Sequence, residues 1–362
     1  MEPLPAVKEQ ISILRAFPLR EPVSGRRYTV LQLRTESGLQ GYGECAAASP
    51  AELAEARRIV LGKPATAFEV IRPQLAALPA LQAAVNMALL DIVGKLAKAP
   101  VYQVLGGPTR NKARAMTPLI GSSEPALLDS LRRARRAGFR AFLVPLPPVL
   151  ARNQGQAFVQ ATRSRLEALR AAAGDDADFV LDGAAALSPA DAASLSTALE
   201  RFHLLWFDEP CPLLNLAALR KLAGENVTPL GFGRLLDQPS QFQDLLREDA
   251  VDVLRPCLSV HGISQTRRIA AIAETYYVAV APYHHGGPIA TAAALHLAAS
   301  LPNFFIQQIP FPEAPEDLRM RSELTTRSIE TVTDGYAALP TGPGLGLEVN
   351  QQVLEKYQER PQ

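Results

Sequence analysis

Between about Ala113 and Pro312 the chain repeats a single unit, a short apolar run followed by an amphipathic helical stretch. Eight such runs can be counted, ending near Ile120, Leu146, Gly183, Glu209, Arg234, Cys257, Pro282 and Gln308. Runs this short and this uniformly apolar read as parallel strands buried on both faces, because a half-exposed strand would alternate polar and apolar residues. A helix between consecutive strands is the crossover that parallel pairing demands. Eight such units close into a barrel whose mouth, at the C-terminal ends of the strands, is where chemistry is sited. Two helix starts are explicit. Ser188 caps, Pro189 fits the first turn and Asp191 lies three residues after the cap, while Gly286-Gly287-Pro288 opens an alanine-rich helix through His296.

The residues ahead of the barrel have another texture. Arg27 to Arg34 alternate as a strand, turn at Ser37-Gly38 and resume at Gln40 to Glu44, which predicts an antiparallel hairpin. Leu81, Val85, Leu89, Ile92 and Leu96 recur at helical spacing before Pro100 and Gly106-Gly107 close the segment. A meander followed by helices makes a small α+β domain. The chain's 362 residues suit one barrel with an added domain. Lys+Arg 37 against Asp+Glu 36 leaves a net charge of +1, so no electrostatic footprint marks nucleic acid or an anionic membrane as a partner. Cys45, Cys211 and Cys257 lack the spacing of a zinc site or redox pair and fit a reducing cytoplasm. The N-terminal MEPLPAVKEQ lacks the pattern of an export signal, and no run of about 20 apolar residues could span a bilayer. A cytoplasmic protein is the expectation.

Several ordered motifs resemble the mandelate racemase/muconate lactonizing enzyme branch of the enolase superfamily. GYGE at 41–44 is similar to that family's GWGE, and AAVNMALLDIVGKLAKAPVYQVLGG at 83–107 to its helix signature and closing LGG. AGFRAF (137–142), FVLDG (179–183) and WFDEP (206–210) resemble the approaches to the second, third and fourth barrel strands. VDVLRPCLSVHGIS (251–264) and VAVAPYHHGGPIATAAALHLAASLPNFFIQQ (278–308) have the look of the sixth to eighth strands of sugar-acid dehydratases, and PTGPGLGLEVN (340–350) is similar to the family's tail. The resemblance implies an α/β fold: a modified TIM barrel of (β/α)7β type with an N-terminal α+β capping domain completed by the C-terminal segment. The expected division is 1–112 for the capping domain, 113–312 for the barrel and 313–362 for a segment packing on the capping domain. It also implies a site between the domains, where a proton beside a carboxylate is removed and the enediolate is stabilised on magnesium.

At the positions the resemblance assigns to that chemistry, this chain departs from the family. Asp182 matches the third-strand magnesium ligand, and Asp208 stands where the fourth strand usually has Glu. The third ligand, at the end of the fifth strand, is replaced by Arg234 in Gly231-Phe-Gly-Arg234. A guanidinium about 4 Å from a divalent ion, at an effective dielectric near 20, is repelled by about 8 kcal/mol. The expected arrangement is therefore Arg234 between Asp182 and Asp208 with no cation; a metal held by the two aspartates requires Arg234 to swing out. Leu143-Val144-Pro145 occupies the place of the family's Lys-x-Lys, and the only lysine between Ala113 and Pro312 is Lys221, in a helical run. The Asp of the family's His-Asp dyad falls at Cys257, to within one residue, its histidine at Tyr283, and the eighth-strand Glu at Gln308. His284 and His285 follow Tyr283, and a one-residue shift brings His284 to the site as a base.

Each of these residues also has a bland reading. The histidine pair can be a loop feature bonded to backbone, and Cys257 a small buried hydrophobe. His203 precedes a strand at its N-terminal end, where barrels place stability; His296 in a helix and His261 in a loop are expected to be structural or solvent-facing. Glu209 is expected to point away from the site and serve as an ion-pair partner.

Two functional classes remain. In one, Tyr283, His284 and Arg234 are catalytic and Arg234, Gln308, His285 and Cys257 bind a small carboxylate such as an acid sugar, in a lyase (dehydratase) or isomerase (racemase) reaction. In the other, the chain is magnesium-independent or has lost the parental activity, and binds a ligand or serves a structural role. The changed positions tilt toward the second. A homo-oligomer is the family expectation.

Overall fold

The computed structural model describes residues 9–149 and 154–359. Its N-terminal sheet has three strands where the sequence pattern gave a hairpin: β1 (Ile11–Arg20) pairs antiparallel with β2 (Arg27–Thr35), which pairs with β3 (Gln40–Cys45). β1 escapes the pattern because its buried residues do not alternate cleanly and its register slips between Ile11 and Ile13. Helices α1 (Pro50–Val60), α2 (Phe68–Gln74), α3 (Pro79–Leu96) and α4 (Val101–Val104) follow. α3 is buried nearly all round. The sheet lies flat on it, and a Cβ on Gly41 or Gly43 would collide with the carbonyl oxygens of Ala88 or Ala84, which is why the 41–44 motif carries glycine twice.

The barrel is built from β4 (Lys112–Pro118), α5 (Glu124–Arg136), β5 (Ala141–Pro145), α6 (Gln156–Ala173), β6 (Asp178–Asp182), α7 (Pro189–Leu199), β7 (Phe207–Asp208) and α8 (Leu216–Glu225). It continues through β8 (Leu230–Phe232), α9 (Pro239–Arg247), β9 (Val253–Leu254), α10 (Leu258–Thr275), β10 (Ala279–Val280), α11 (Pro288–Ser300) and β11 (Gln307–Gln308). β4 to β10 pair in parallel, each with the next, and β11 closes the ring against β4. On its other side the β11 segment is held to the end of β10 by Phe305 N–H to Val280 O (2.9 Å) and Gln308 N–H to Pro282 O (3.3 Å). Met116, Ala141, Leu143, Val180, Trp206, Val253, Ala281 and Ile306 fill the interior. Leu143, in the second strand where the resemblance puts a lysine, is thus part of the barrel's packing. The sixth strand stops at Leu254, short of Cys257, because Pro256 has no N–H to continue the ladder.

One correction concerns a histidine. His261 lies in α10, not in a loop, and is buried, with Nε2 3.1 Å from Leu236 O. His296, in α11, is structural, one of its two expected places: it is buried and stacks on Tyr102 with ring centroids 5.4 Å apart. The residues after the barrel form α12 (Pro315–Leu324), a hairpin of β12 (Val332–Thr333) and β13 (Tyr336–Ala338), and α13 (Gln351–Tyr357). They divide their contacts between the two domains: β13 pairs with β4 of the barrel, whereas α13 reaches β1. The 340–350 motif is anchored by Asp91 of α3, which accepts N–H groups from Leu345 (2.8 Å) and Tyr42 (3.0 Å). Among the described residues no helix is long and apolar enough to cross a membrane.

Candidate active site

At the barrel mouth the ends of β6, β7 and β8 bring Asp182, Asp208 and Arg234 together. Arg234 Nη1 lies 2.8 Å from Asp182 Oδ1 and 2.9 Å from Asp208 Oδ2, so one nitrogen bridges both carboxylates. Behind this bridge stands a second guanidinium. Arg255, wholly buried just past β9, donates from Nε to Asp208 Oδ1 (2.9 Å), from Nη1 to Ala281 O (2.5 Å) and from Nη2 to Gln308 Oε1 (2.5 Å). Trp206 Nε1 donates to the same Asp208 oxygen (2.7 Å). Asp208 thus neutralises two cations and is fully buried, while the two carboxylates and two guanidiniums balance in charge. Burial opposes the charge of Arg234, but Asp208 and then Asp182 outweigh it and hold its pKa above the ordinary guanidinium value. For Arg255 burial prevails, and its pKa is lowered despite Asp208.

The sequence pattern gave no role to Arg255, because the family resemblance calls for an acid in this strand. The signal that could have found it is a lone charge at the end of an apolar run, Val253-Leu254-Arg255. Gln308, expected to bind substrate, is buried against this arginine.

The other predicted site residues separate. Tyr283 donates its hydroxyl to Arg234 O (2.6 Å), and its ring lies 5.6 Å from each of the Arg234 and Arg255 guanidinium carbons. Burial, then Cys257, raises its pKa, so the phenol stays protonated and is a poor proton acceptor. His285 is exposed and meets Tyr283 edge-on, ring centroids 5.1 Å apart; burial of part of its ring and then Arg234 lower its pKa. His284 is turned elsewhere: it is fully buried, with Nε2 3.2 Å from Thr291 Oγ1, and Thr291 donates to Glu330 (2.6 Å), a partner of Arg321. The shift that would bring His284 to the mouth does not occur: His285, not His284, meets Tyr283. Cys257 is buried beside Tyr283 at the start of α10, its thiol pushed up by burial. Glu209, expected to serve as an ion-pair partner, has backbone partners instead: Oε1 accepts the N–H groups of Gly233 (2.7 Å) and Arg234 (2.6 Å).

These residues do not fit a magnesium ion. Asp208 spends both oxygens on arginine and tryptophan donors, Asp182 Oδ1 is shared by Arg234 and the N–H of Ala184 (3.0 Å), and the remaining corner is a cation. Among the described residues no group of three or more His, Cys, Asp or Glu is placed to hold a metal.

A closed parallel barrel with an α+β domain packed on it is the arrangement of enolase-superfamily proteins, and the family models place the chain among them. Residues 18–106 match the mandelate racemase/muconate lactonizing enzyme N-terminal domain, and residues 126–353 match the enolase C-terminal domain-like family. The chain belongs to the mandelate racemase/muconate lactonizing enzyme family, which is magnesium-dependent. It is 31% identical over 365 residues to a D-galactonate dehydratase from Verminephrobacter eiseniae, covering 92% of each chain. A D-galactonate dehydratase family member from Streptomyces bingchenggensis is 29% identical, covering 93% of this chain and 91% of its own. Among solved structures, a mandelate racemase/muconate lactonizing enzyme from Sulfitobacter sp. superposes with a TM-score of 0.85 at 26% identity, covering 98% of this chain and 96% of its own. An enolase from Agrobacterium radiobacter with bound sodium and L-malate gives 0.86 at 26% identity, with 97% and 95% covered.

Proposed function

We propose that this protein binds a small carboxylate at the barrel mouth without magnesium and does not carry out the parental, metal-assisted proton abstraction. The observation that carries the reading is the single Arg234 nitrogen shared by Asp182 and Asp208. That nitrogen is occupied, but the Arg234 side chain keeps 18% of its surface exposed, and a guanidinium with free N–H groups suits a carboxylate in a bidentate contact. L-malate, the acid bound by the Agrobacterium relative, is a natural first probe. Calorimetric titration with malate and galactonate, with and without magnesium, tests the reading. Binding is expected to be indifferent to magnesium and lost in Arg234→Met; magnesium-dependent binding, or turnover that requires the metal, would overturn it.

A second reading, an active acid-sugar lyase, is favoured by the identity to D-galactonate dehydratase along almost the whole chain. The proton would then move through His285, the one imidazole open to the mouth beside Tyr283, rather than through His284. The same proposal takes the chain as a cytoplasmic homo-oligomer with no nucleic-acid or membrane partner. Its near-zero net charge supports the absence of a nucleic-acid or membrane-surface partner, its buried free cysteines support a reducing compartment, and the homo-oligomer is what the family resemblance implies. It also keeps the division at 112 and 312, with the final segment serving both domains.

A further inference from the structure

We infer that Glu209 is a positioning residue for Arg234: its carboxylate fixes the backbone at Gly233 and Arg234 and so sets the guanidinium between Asp182 and Asp208. The inference rests on the reading of Arg234 as the functional cation of the mouth. Glu209 is buried, yet among the described residues it has no ion-pair partner. Instead Oε1 takes two consecutive N–H groups, from Gly233 and Arg234, at 2.7 and 2.6 Å. The turn it holds is one that few residues adopt, with Gly233 at φ 123°. From the other side Tyr283 donates to Arg234 O, so the arginine's own N–H and C=O are both clamped by side chains.

Glu209 also stands in a strained conformation, φ 44°, which a residue with a side chain rarely adopts and which persists only where its surroundings impose it. They do: its N–H donates to Gly231 O (2.8 Å) and its C=O accepts from Ala185 N–H (2.7 Å), tying together the ends of β6, β7 and β8. Its second oxygen, Oε2, is buried with no partner. A side chain kept only to fill space would avoid that unmet acceptor. One kept to aim a turn through Oε1 tolerates it.

The test uses the full chain and two variants. In the wild type, the amides of Gly233 and Arg234 are expected to exchange with deuterium at least about 100-fold more slowly than free loop amides. Glu209→Ala is expected to raise those two rates about tenfold or more while β8 stays protected, and its crystal structure to show Arg234 off at least one aspartate. Glu209→Gln, which keeps an acceptor at Oε1, should stay within about threefold of wild type and retain the bridge. Loop-like exchange in the wild type, or Glu209→Ala with the guanidinium still on both aspartates, would overturn the inference. If Glu209→Ala does not fold, wild-type exchange and Glu209→Gln decide the matter. If no carboxylate binds the wild type, the proposed function fails, while exchange and crystallography still judge Glu209.

Discussion

Asp208 accepts from Trp206, Arg234 and Arg255 with no exposed surface of its own, so each donor would lose its counter-charge or acceptor if the carboxylate were removed. Breaking a buried pair from one side costs about 3–5 kcal/mol. Asp208→Ala is therefore expected to lower unfolding free energy by about that much in urea titrations. Asp182→Ala should cost less, because Asp182 is 17% exposed and water replaces part of what Arg234 gives it. Equal losses would show that the network is not centred on Asp208. Arg234→Glu reverses the charge at the fifth-strand end and restores the acid the family carries there. It is expected to gain a magnesium-dependent rise in melting temperature that the wild type lacks, and an unchanged melting curve with added magnesium would contradict the placement of Arg234 at the third ligand position. The bridge was legible because the family resemblance put Asp182, Asp208 and Arg234 at three neighbouring strand ends, and charge pairing then predicts where a guanidinium between two acids goes. Arg255 was not, since nothing in a one-dimensional pattern tells a strand-end arginine that turns inward from one that reaches solvent.

Elements are joined here by backbone groups that side chains from another domain satisfy. Glu44, on β3, accepts the N–H groups of Gly287 and Ala290 at the start of α11, so a capping-domain carboxylate caps a barrel helix. Burial pushes its pKa up to about 7, although the Gly287 N–H pulls the other way. Its folded value lies above the unfolded one, near 4.3, so between the two the native chain holds a proton that the unfolded chain has released. Stability from this group is thus greatest below pH 4 to 5, falls as pH rises to about 7, and is level above it, a loss on the order of 3 kcal/mol. Glu44→Gln removes the titration. Urea midpoints measured from pH 5 to 8 should decline more steeply for the wild type than for this variant, and parallel profiles would mean that Glu44 does not hold its proton in the fold. Motif 41–44 announced this strand, and the glycine pair at 286–287 announced the helix, but not that one caps the other. Contacts across some 240 positions of sequence leave no local trace. β1 was hidden for a different reason, its broken alternation, whereas the barrel strands were plain because burial on both faces leaves them uniformly apolar.

At the scale of the whole molecule, the C-terminal segment contacts both domains. Arg321 of α12 is buried and donates to Glu21 at the end of the β1 region (2.6 Å), to Glu330 (2.7 and 2.5 Å) and to Gly286 O (3.0 Å). Asp317, one helical turn away, accepts the N–H groups of Val23 and Ser24, both at 2.8 Å. α12 therefore grips the capping domain's loop with one acid and one base, while β13 pairs with β4 and keeps the same segment on the barrel. Glu21 is wholly buried, so it cannot exchange its arginine for water. Arg321→Met keeps much of the volume and removes the charge, leaving Glu21 only Arg26, 3.9 Å away, as an ion partner among the described residues and Glu330 the hydroxyl of Thr291. The expected cost is about 3–5 kcal/mol, concentrated where α12 meets the capping domain. In scanning calorimetry the variant should then show the capping domain melting ahead of the barrel. A single transition at the wild-type temperature would mean that the flat packing of β3 on α3, and of α3 on α10, is by itself enough to couple the domains.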